Sequence, residues 1–457
     1  MTDRLKLVLI GAGSTVFTQR LVADVILSGQ ADRWELALVD IDPVTLKAVD
    51  ALVRKMLAFK EVDLPVVSTL DRRDVLPGAS FVVTTIAVGG RRAWELDIQV
   101  PRRHGIYQPV GDSVMPGGIS RAMRMIPQMV AIAEDIAELC PTAYFLNYSN
   151  PMTAICRAIR LKTGVPVIGL CHGVHHVENQ LAHFLGRPEG SISSFGVGLN
   201  HMTFLTDIRC NGADARPLLR AKLAEQRPLL EQELRTKTDW PNSVTGRAPR
   251  YSDDPLSWSI FERYGVFPVA MDRHVVEFFP ERFPQGQYYG RTLGVDAFSI
   301  DGRIALGDTW FDEMLAVAGS NESLPSSYFD NVPGESEQLV DIMQSLLLDR
   351  GDVFSTNLPN GGAVPGLPTD AVLEMPASAG GAGFSPLQSK PLPPALLAKL
   401  LSKIAAVEVT VEAALQGSVD AFVEALLTDG AVTDPAKAAA LTRDLIQAHR
   451  AHLPQFA

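Results

Sequence analysis

The sequence predicts an α/β protein whose N-terminal part is a Rossmann-like, doubly wound parallel sheet. From residue 5 to about 170, short apolar runs alternate with longer segments of helical periodicity, as expected for repeated βαβ units. A glycine-rich segment follows the first apolar run, and an acidic residue follows the second, an arrangement typical of dinucleotide-binding sheets. After about residue 195 the alternation fades. A second domain of α+β structure is therefore expected.

The length and periodicity of each segment predict the N-terminal elements. Short apolar runs suit buried strands, and longer periodic segments suit helices. The predicted strands are 5–10, 34–39, 65–69, 80–87, 143–147 and 165–170. The predicted helices are 15–28, 43–60, 118–139 and 152–163. Asp42 and Pro43 mark the start of the second helix, because Asp caps helices and Pro favours the first turn.

The C-terminal part combines helical patterns with segments rich in Gly and Pro. The helical segments are 217–235, 298–347, about 394–427 and 435–449. Residues 240–256 indicate a loop, and the apolar run at 371–375 indicates a strand between loops. The chain contains no low-complexity linker. We therefore expect two tightly packed domains, 1–195 for dinucleotide binding and 196–457 for substrate binding and oligomerisation.

Composition excludes several classes of protein. The net charge of −11 over 457 residues argues against nucleic acid or an anionic membrane as the main partner. No uncharged apolar stretch of about 18 residues is present, so no spanning helix is expected. Four cysteines in so long a chain do not indicate a disulfide framework. The N-terminus enters a strand at once without a leader pattern, which predicts a cytoplasmic enzyme.

The glycine-rich segment has the context of a dinucleotide loop. Gly11 permits a tight turn, and Gly13 lets the backbone approach a pyrophosphate at the start of the next helix. Ser14 and Thr15 continue this loop, while Val16 stands where a third glycine is usual. The incomplete motif is also compatible with an ordinary glycine-rich turn.

Asp40 strengthens the prediction of a cofactor. It ends the second strand, 27 residues after Gly13, somewhat beyond the spacing of about 20 residues usual for the acid of such folds. A carboxylate there binds the ribose hydroxyls and repels a 2′-phosphate. The sequence therefore favours NAD over NADP, although Asp40 can also simply begin the turn that leads to Pro43. Val88 and Gly89 follow the fourth strand and are predicted to approach the middle of the cofactor.

A second group of motifs indicates a metal and a polar substrate. Asn147 and Asn150 follow the fifth strand, and Cys171 follows the sixth, so all three should face one crevice with the glycine loop. Cys171 and His201 offer a thiolate and an imidazole, which suit a borderline divalent ion. Each residue alone is more often a packing residue. The absence of Cys-x-x-Cys and His-Glu-x-x-His disfavours a closed structural zinc site.

Taken in chain order, these motifs resemble the NAD- and manganese-dependent glycoside hydrolases of family 4. The resemblance is carried by Gly11–Ser14, Val88–Gly90, Gly111-Asp112, Asn147–Pro151, Cys171–Gly173, Gly198–His201, Tyr264-Gly265 and Asp272–His274. It extends to about residue 376. It implies an architecture similar to that of lactate and malate dehydrogenases, and assembly as a homodimer or homotetramer.

The resemblance also implies a redox-neutral cleavage of glycosides. Bound NAD⁺ takes a hydride from carbon 3 of the sugar, a base removes the proton from carbon 2, and the aglycone leaves carbon 1. Water then adds, and the hydride returns. Cys171 and His201 are implied to ligate Mn²⁺ or another divalent ion as a Lewis acid, and Asn150 is implied to hold the sugar hydroxyls.

Further roles follow by position in the same resemblance. Tyr264 matches the carbon-2 base, and a phenol needs a neighbouring cation or metal to act near neutrality. Asp112 and Asp272 match acidic positions for proton transfer or hydroxyl binding, although each can be a turn or cap residue. His172 is implied to assist the leaving group. The remaining predicted contacts are Asn147 to the cofactor, and Asn200 and Arg273 to the substrate.

The substrate prediction favours unphosphorylated α-galactosides. His172 after the metal cysteine implies a sugar without phosphate, and Gly111–Gly118 resembles galactosidase-type members, whereas Gly173 resembles the α-glucosidase and α-glucuronidase branches. An α-glucuronidase, α-galacturonidase or other acidic α-hexosidase is therefore an alternative. Two further alternatives are an NAD-dependent 2-hydroxy-acid dehydrogenase and a non-catalytic dinucleotide sensor.

Overall fold

Six parallel strands form the N-terminal part of the sheet, as predicted. The computed structural model describes residues 4–171, 173–237, 251–330, 332 and 338–456. The parallel strands are β1 Leu5–Ile10, β2 Trp34–Val39, β3 Val66–Thr69, β4 Ala79–Thr84, β5 Tyr144–Asn147 and β6 Val167–Leu170. They lie in the order β6-β5-β4-β1-β2-β3, which is the order of dinucleotide-binding folds. The predicted fold class is confirmed.

Helices connect these strands. They are α1 Thr18–Leu27, α2 Pro43–Lys60, α3 Gly90–Arg103, α4 Met115–Leu139, α5 Met152–Thr163 and α6 Gly173–Phe184. The carboxylate of Asp42 accepts a hydrogen bond from the Val44 amide and caps α2, as predicted. Helix α3 was not predicted, because its apolar positions are few and Pro101 lies near its end.

The sheet continues into the C-terminal part through antiparallel strands. These are β7 Ile192–Leu199, β8 Met202–Cys210, β9 Ala213–Asp214, β10 Phe267–Pro268, β13 Asp352–Pro359, β14 Val372–Gly380 and β15 Gly383–Pro386, with a separate pair, β11 Gln287–Tyr288 and β12 Arg291–Thr292. The main path runs β10-β8-β7-β14-β13-β6. Strand β7 passes through the predicted boundary at residue 195, so the division into two domains stays a prediction.

The C-terminal helices agree with the predicted pattern, with two interruptions. They are α7 Arg216–Thr236, α8 Pro255–Tyr264, α9 Met271–Val275, α10 Ile300–Gly319, α11 Leu339–Leu348, α12 Pro394–Gln416, α13 Val419–Asp429 and α14 Pro435–His449. The segment predicted as one helix from 298 to 347 forms two helices, α10 and α11. The segment predicted as one helix from 394 to 427 is broken at Gly417, where φ is +66°. Helices α8 and α9 were not predicted. Most of the predicted loop at 240–256 lies outside the described residues. No described helix has the length and apolarity needed to cross a bilayer.

Candidate active site

A crevice of about 830 Å³ opens at the carboxyl ends of β1, β2 and β4. Its lining includes predicted cofactor residues: Gly11, Gly13, Ser14, Thr15, Asp40, Val88 and Gly89. It also includes Asp112 and Asn150, which were predicted to act on the substrate. The structure therefore brings most predicted cofactor residues and two predicted substrate-side residues to one cavity, at the edge of the sheet where ligands bind in such folds.

The glycine loop has no space for larger side chains. A Cβ atom at Gly11, where φ is +91°, would lie 2.8 Å from the amide nitrogen of Ile86. A Cβ atom at Gly13 would lie 2.6 Å from Cγ2 of Thr45 and 2.8 Å from Oδ2 of Asp40. The loop thus exposes bare backbone just before α1, as close approach to a pyrophosphate requires.

Asp40 lies beside this loop at the end of β2. The Gly13 amide donates to its Oδ2 at 2.7 Å, and the Asp42 amide donates to its Oδ1 at 3.0 Å. These bonds hold the carboxylate at the crevice wall on the β2 side of the sheet. Backbone loop and carboxylate together fit a dinucleotide with a free ribose diol.

At the other end of the crevice, Asp112, His201 and His274 form a cluster. Their ligand atoms all lie within 4.8 Å of one another. Nδ1 of His201 is 3.4 Å from Oδ1 of Asp112, and Nδ1 of His274 is 4.0 Å from the same oxygen. Two imidazoles and a carboxylate are suitable ligands for a divalent ion such as Mn²⁺ or Zn²⁺. Sequence reasoning predicted His201 in this role but assigned His274 no role as a ligand.

Asp112 belongs both to this cluster and to the crevice lining. Burial acts to raise the pKa of Asp112, but the imidazoles of His201 and His274, with Arg121, hold it below the usual carboxyl range. Nδ2 of Asn150 donates to Oδ2 of Asp112 at 3.3 Å. Oδ1 of Asn150 is buried without a hydrogen-bond partner among the described residues. This amide can therefore bind a ligand hydroxyl, as predicted for Asn150.

Buried carboxylates fix the segments that carry the cluster. Glu277 accepts hydrogen bonds from the Val110 and Gly111 amides at 2.7 and 2.9 Å, directly before Asp112. Burial raises the pKa of Glu277 to about 8, and the charge of Asp112 adds to this rise. Because two backbone amides converge on one carboxyl group, the loop that presents Asp112 has a defined conformation.

The turn between β7 and β8 is held by Glu374 of β14. Nδ2 of Asn200 donates to Oε2 of Glu374 at 3.2 Å, and both residues are buried. Burial raises the pKa of Glu374. The next residue, His201, has a left-handed φ of +66°. Asn200, predicted as a substrate contact, thus orients the turn that carries His201.

Asp272 is a capping residue of α8 in this structure. Its carboxylate accepts from the amides of Leu256 and Ser257 at 2.6 and 2.8 Å and from the hydroxyl of Tyr288 at 2.7 Å. Burial raises the pKa of Asp272, and the residue is fully buried. Asp272 therefore fixes α9, which carries His274. These contacts agree with the alternative prediction that Asp272 is a cap residue.

Asn147 also supports the site from within. It is fully buried, and its Oδ1 accepts from the Ser149 amide at 2.9 Å and the Thr84 hydroxyl at 3.0 Å. These bonds shape the loop that leads to Asn150. Asn147 itself, predicted to contact the cofactor, is not among the described residues that line the crevice.

The other predicted residues lie apart from the crevice lining. Cys171 lines a separate cavity of about 170 Å³ beside α6, with Glu178 and Ser194, and is not part of the three-residue cluster found among the described residues. Tyr264 ends α8, with the guanidinium of Arg263 5.3 Å from its ring centre. Arg273 lies in α9 between Asp272 and His274. His172 lies outside the described residues.

Sequence reasoning missed a buried ionic network beneath the cofactor loop. Arg124 of α4 donates to both carboxylate oxygens of Asp97 at 2.8 and 2.5 Å, and its Nε donates to the Val88 carbonyl at 2.9 Å. Nε2 of His449 lies 3.0 Å from Asp97. A charged residue inside an apolar helix face was the available signal, because buried charges are almost always paired.

Comparison with family models identifies the chain. A model described as family 4 glycosyl hydrolase matches residues 6–187, and the model of the C-terminal domain of that family matches residues 196–432. The chain belongs to glycosyl hydrolase family 4. This membership favours glycoside hydrolysis over the dehydrogenase and sensor alternatives, and it confirms the resemblance found in the motifs.

Relatives that align with most of this chain are named as different glycosidases. An α-galactosidase of Rhizobium meliloti is 28% identical over 99% of this chain and 90% of its own length. An α-glucosidase of Erwinia rhapontici is 31% identical over 93% of both chains. An α-galacturonidase of Bacillus subtilis is 29% identical over 97% of both. Family 4 membership thus leaves the sugar open.

Solved structures agree with the fold. The putative glucosidase lplD from Bacillus subtilis has a TM-score of 0.77 at 26% identity, covering 97% of this chain and 100% of its own. A 6-phospho-α-glucosidase from gut microorganisms, solved with NAD and Mn²⁺, reaches 0.83 at 17% identity, covering 99% and 100%. Cryptosporidium parvum malate dehydrogenase reaches 0.52 at 14%, covering 90% and 99%. The last two structures share the fold of this chain. The match to malate dehydrogenase explains why a dehydrogenase was a natural alternative.

Proposed function

We propose that this family 4 enzyme hydrolyses unphosphorylated α-glycosides, α-galactosides foremost, with NAD and a divalent metal ion such as Mn²⁺. The observation that carries the proposal is the position of Asp112. Its carboxylate lines the dinucleotide crevice and belongs to the cluster with His201 and His274. One carboxylate therefore joins the places where cofactor, metal and sugar would meet.

The residues of the crevice and the cluster fit both NAD and a divalent metal ion. When bound, oxidised nicotinamide supplies a hydride acceptor for carbon 3 of the sugar, and the divalent ion supplies a Lewis acid for the adjacent oxygens. Gly11 and Gly13 offer backbone to the pyrophosphate, and Asp40 accepts from the ribose hydroxyls. Val88 and Gly89 line the path between the two ends of the crevice.

The sugar end is served by polar side chains. Asp112, His201 and His274 would hold the metal, and we retain Cys171 as a proposed further ligand from the sequence. Oδ1 of Asn150, buried and unpartnered among the described residues, would accept from a sugar hydroxyl and orient carbon 3. We also retain His172 as the residue that assists the leaving group and Arg273 as a substrate contact. Asp272 and Asn200 position the segments that carry the cluster.

Tyr264 remains the proposed base that removes the proton from carbon 2. Tyr264→Phe should lower kcat by about 10²- to 10⁴-fold, the usual contribution of a general base, and should stop exchange of the carbon-2 proton with deuterated solvent. Tyr289→Phe, at an exposed tyrosine, is the matched control. Undiminished exchange in Tyr264→Phe would assign the base to another residue.

Asp40→Ala should weaken the binding of NAD and leave the affinity for Mn²⁺ unchanged. The carboxylate of Asp40 is held at the crevice wall, and losing the hydrogen bonds that a charged carboxylate accepts from ribose hydroxyls costs about 1.5–3 kcal/mol. Calorimetric titration with NAD should show a Kd raised by roughly ten- to a hundredfold. An unchanged Kd would remove Asp40 from the ribose site.

The choice of sugar rests on the relatives and on the motif Gly111–Gly118. An α-galactosidase aligns over 99% of the chain, and an α-galacturonidase over 97%. Uronides are therefore the second candidate substrates, which Gly173 also favours. A panel of nitrophenyl α- and β-glycosides and uronides, with NAD⁺, Mn²⁺ and reductant, decides between them.

Release of nitrophenol from the α-galactoside, lost on chelation and restored by Mn²⁺, is the expected result. Faster release from a uronide would transfer the assignment to the acidic branch. Accumulation of NADH in step with product would contradict hydrolysis, because the proposed reaction returns its hydride.

The proposal includes a cytoplasmic location and a homodimer or homotetramer. The four cysteines, all within the described residues, form no disulfide, and three of them are buried, as is usual in a reducing compartment. Light scattering of the purified protein would measure the mass of the assembly, and a monomer would contradict the predicted oligomer.

A further inference from the structure

The last turn of the chain contributes a side chain to the cofactor crevice. His452 follows α14, in the short helical turn Arg450–His452, and its ring lines the crevice. A Cβ atom at Gly89 would lie 3.0 Å from Cδ2 and Nε2 of this ring. The family model of the C-terminal domain matches only to residue 432, so His452 lies beyond the matched segment.

Buried contacts fix the position of this C-terminal turn. Nε2 of His449 lies 3.0 Å from Asp97, which is paired with Arg124. Downstream, Nε2 of Gln455 donates to the Met123 carbonyl at 2.7 Å. His452 is thus placed between two anchored residues.

The same network fixes the opposite side of the contact. Nε of Arg124 donates to the carbonyl of Val88 at 2.9 Å, next to Gly89. The ring of His452 and the loop that it faces are therefore positioned by one set of buried groups.

The chemistry of His452 suits a neutral ligand group. Partial burial of the ring, followed by the positive charges of Arg124 and His449, lowers the pKa of His452. The ring is therefore neutral at physiological pH and offers one donor and one acceptor nitrogen. Such a ring matches a ribose hydroxyl or a carboxamide better than a phosphate.

The order of the strands indicates which half of a dinucleotide passes this point. Asp40 marks the adenosine side at the end of β2, and the glycine loop after β1 marks the pyrophosphate. Gly89 follows β4, on the other side of β1, towards Asp112. Residues near Gly89 therefore face the nicotinamide-side half.

We propose that His452 is a further cofactor-binding residue, which hydrogen-bonds the nicotinamide-side half of the dinucleotide. This inference rests on the NAD dependence proposed above. It assigns a binding role to a residue outside the segment that the family models match.

Calorimetric titrations of the intact protein with NAD and with AMP test the proposal without an activity assay. His452→Ala should raise the Kd for NAD by about three- to tenfold, the loss of one hydrogen bond, and leave the Kd for AMP unchanged. His452→Gln, which keeps a donor and an acceptor, should bind NAD within about twofold of the wild type. His452→Phe keeps the ring volume and should bind NAD as weakly as the alanine variant.

The control is His183→Ala, at a half-exposed histidine on α6 whose loss should change neither Kd. Equal NAD affinity in the wild type and His452→Ala would overturn the role of His452. Full affinity in His452→Phe would overturn it too, because it would assign the effect to packing. Equal weakening of AMP would place the contact on the wrong half. A wild type that binds no NAD would instead overturn the cofactor named in the proposed function.

Discussion

His201→Asn should abolish tight binding of Mn²⁺ and lower kcat/KM by at least about a hundredfold, since Lewis-acid catalysis by a bound ion contributes several kcal/mol. His201 is the one residue that both the sequence motif and the three-residue cluster assign to the metal. Asparagine is chosen because it tolerates the left-handed backbone that His201 adopts at φ +66°. The loss can then be attributed to the missing imidazole.

Titration of Mn²⁺ followed by electron paramagnetic resonance measures this effect directly. His183→Asn removes an imidazole from α6 and serves as the control, with an expected Mn²⁺ affinity equal to that of the wild type. An unchanged affinity in His201→Asn, together with full activity, would place the metal elsewhere in the molecule.

Two further variants decide which partners His201 has. The structure groups it with Asp112 and His274, whereas the sequence motif pairs it with Cys171. His274→Ala should therefore weaken the binding of Mn²⁺ if the cluster holds the ion. Cys171→Ser should weaken it if the thiolate is a ligand. A loss in both variants would show that the imidazole and the thiolate bind one ion together.

Arg124→Met should destabilise the protein by about 3–5 kcal/mol, the usual cost of leaving one charge of a buried pair without its partner. The side chains of Arg124 and Asp97 are 1% and 0% exposed. Burial acts to raise the pKa of Asp97, but the charge of Arg124 and the nearby His449 lower it. Without Arg124, the buried Asp97 carboxylate would keep only the Ser120 hydroxyl and the nearby ring of His449 as partners.

Urea unfolding measures this loss, and two variants make it specific. Arg54→Met removes the exposed partner of Asp50 on α2 and should cost well under about 1 kcal/mol. The double variant Asp97→Asn with Arg124→Met should cost less than Arg124→Met alone, because no buried charge remains. A cost below about 1 kcal/mol for Arg124→Met would contradict the argument.

The N-terminal sheet was predictable because its signals are local. Each of the six strands is a short apolar run, and the observed bounds lie within a few residues of the predicted ones. Asp42 capped α2 as its sequence position indicated. Gly13 occupies a site with no room for a Cβ atom, which is the physical reason for a glycine in that motif.

The rest could not be predicted because it depends on which distant segments meet. His274 reaches His201 only because β7, β8 and α9 pack at one end of the crevice. Glu277 and Glu374 each interrupt an apolar run, which indicates a buried charge but not the distant backbone and side-chain donors that each accepts from. Asp272, predicted in the active site, caps a neighbouring helix because its carboxylate lies against the first turn of α8.

The continuous sheet has a mechanical consequence for turnover. Main-chain pairing joins Asn357 of β13 to Gly169 of β6, so backbone hydrogen bonds cross from the N-terminal to the C-terminal part of the sheet. A hinge rotation of the N-terminal part against the C-terminal part would break these bonds. We therefore expect sugar and aglycone to enter and leave through shifts of helices and side chains at the surface of the crevice, while the sheet beneath them keeps its pairing.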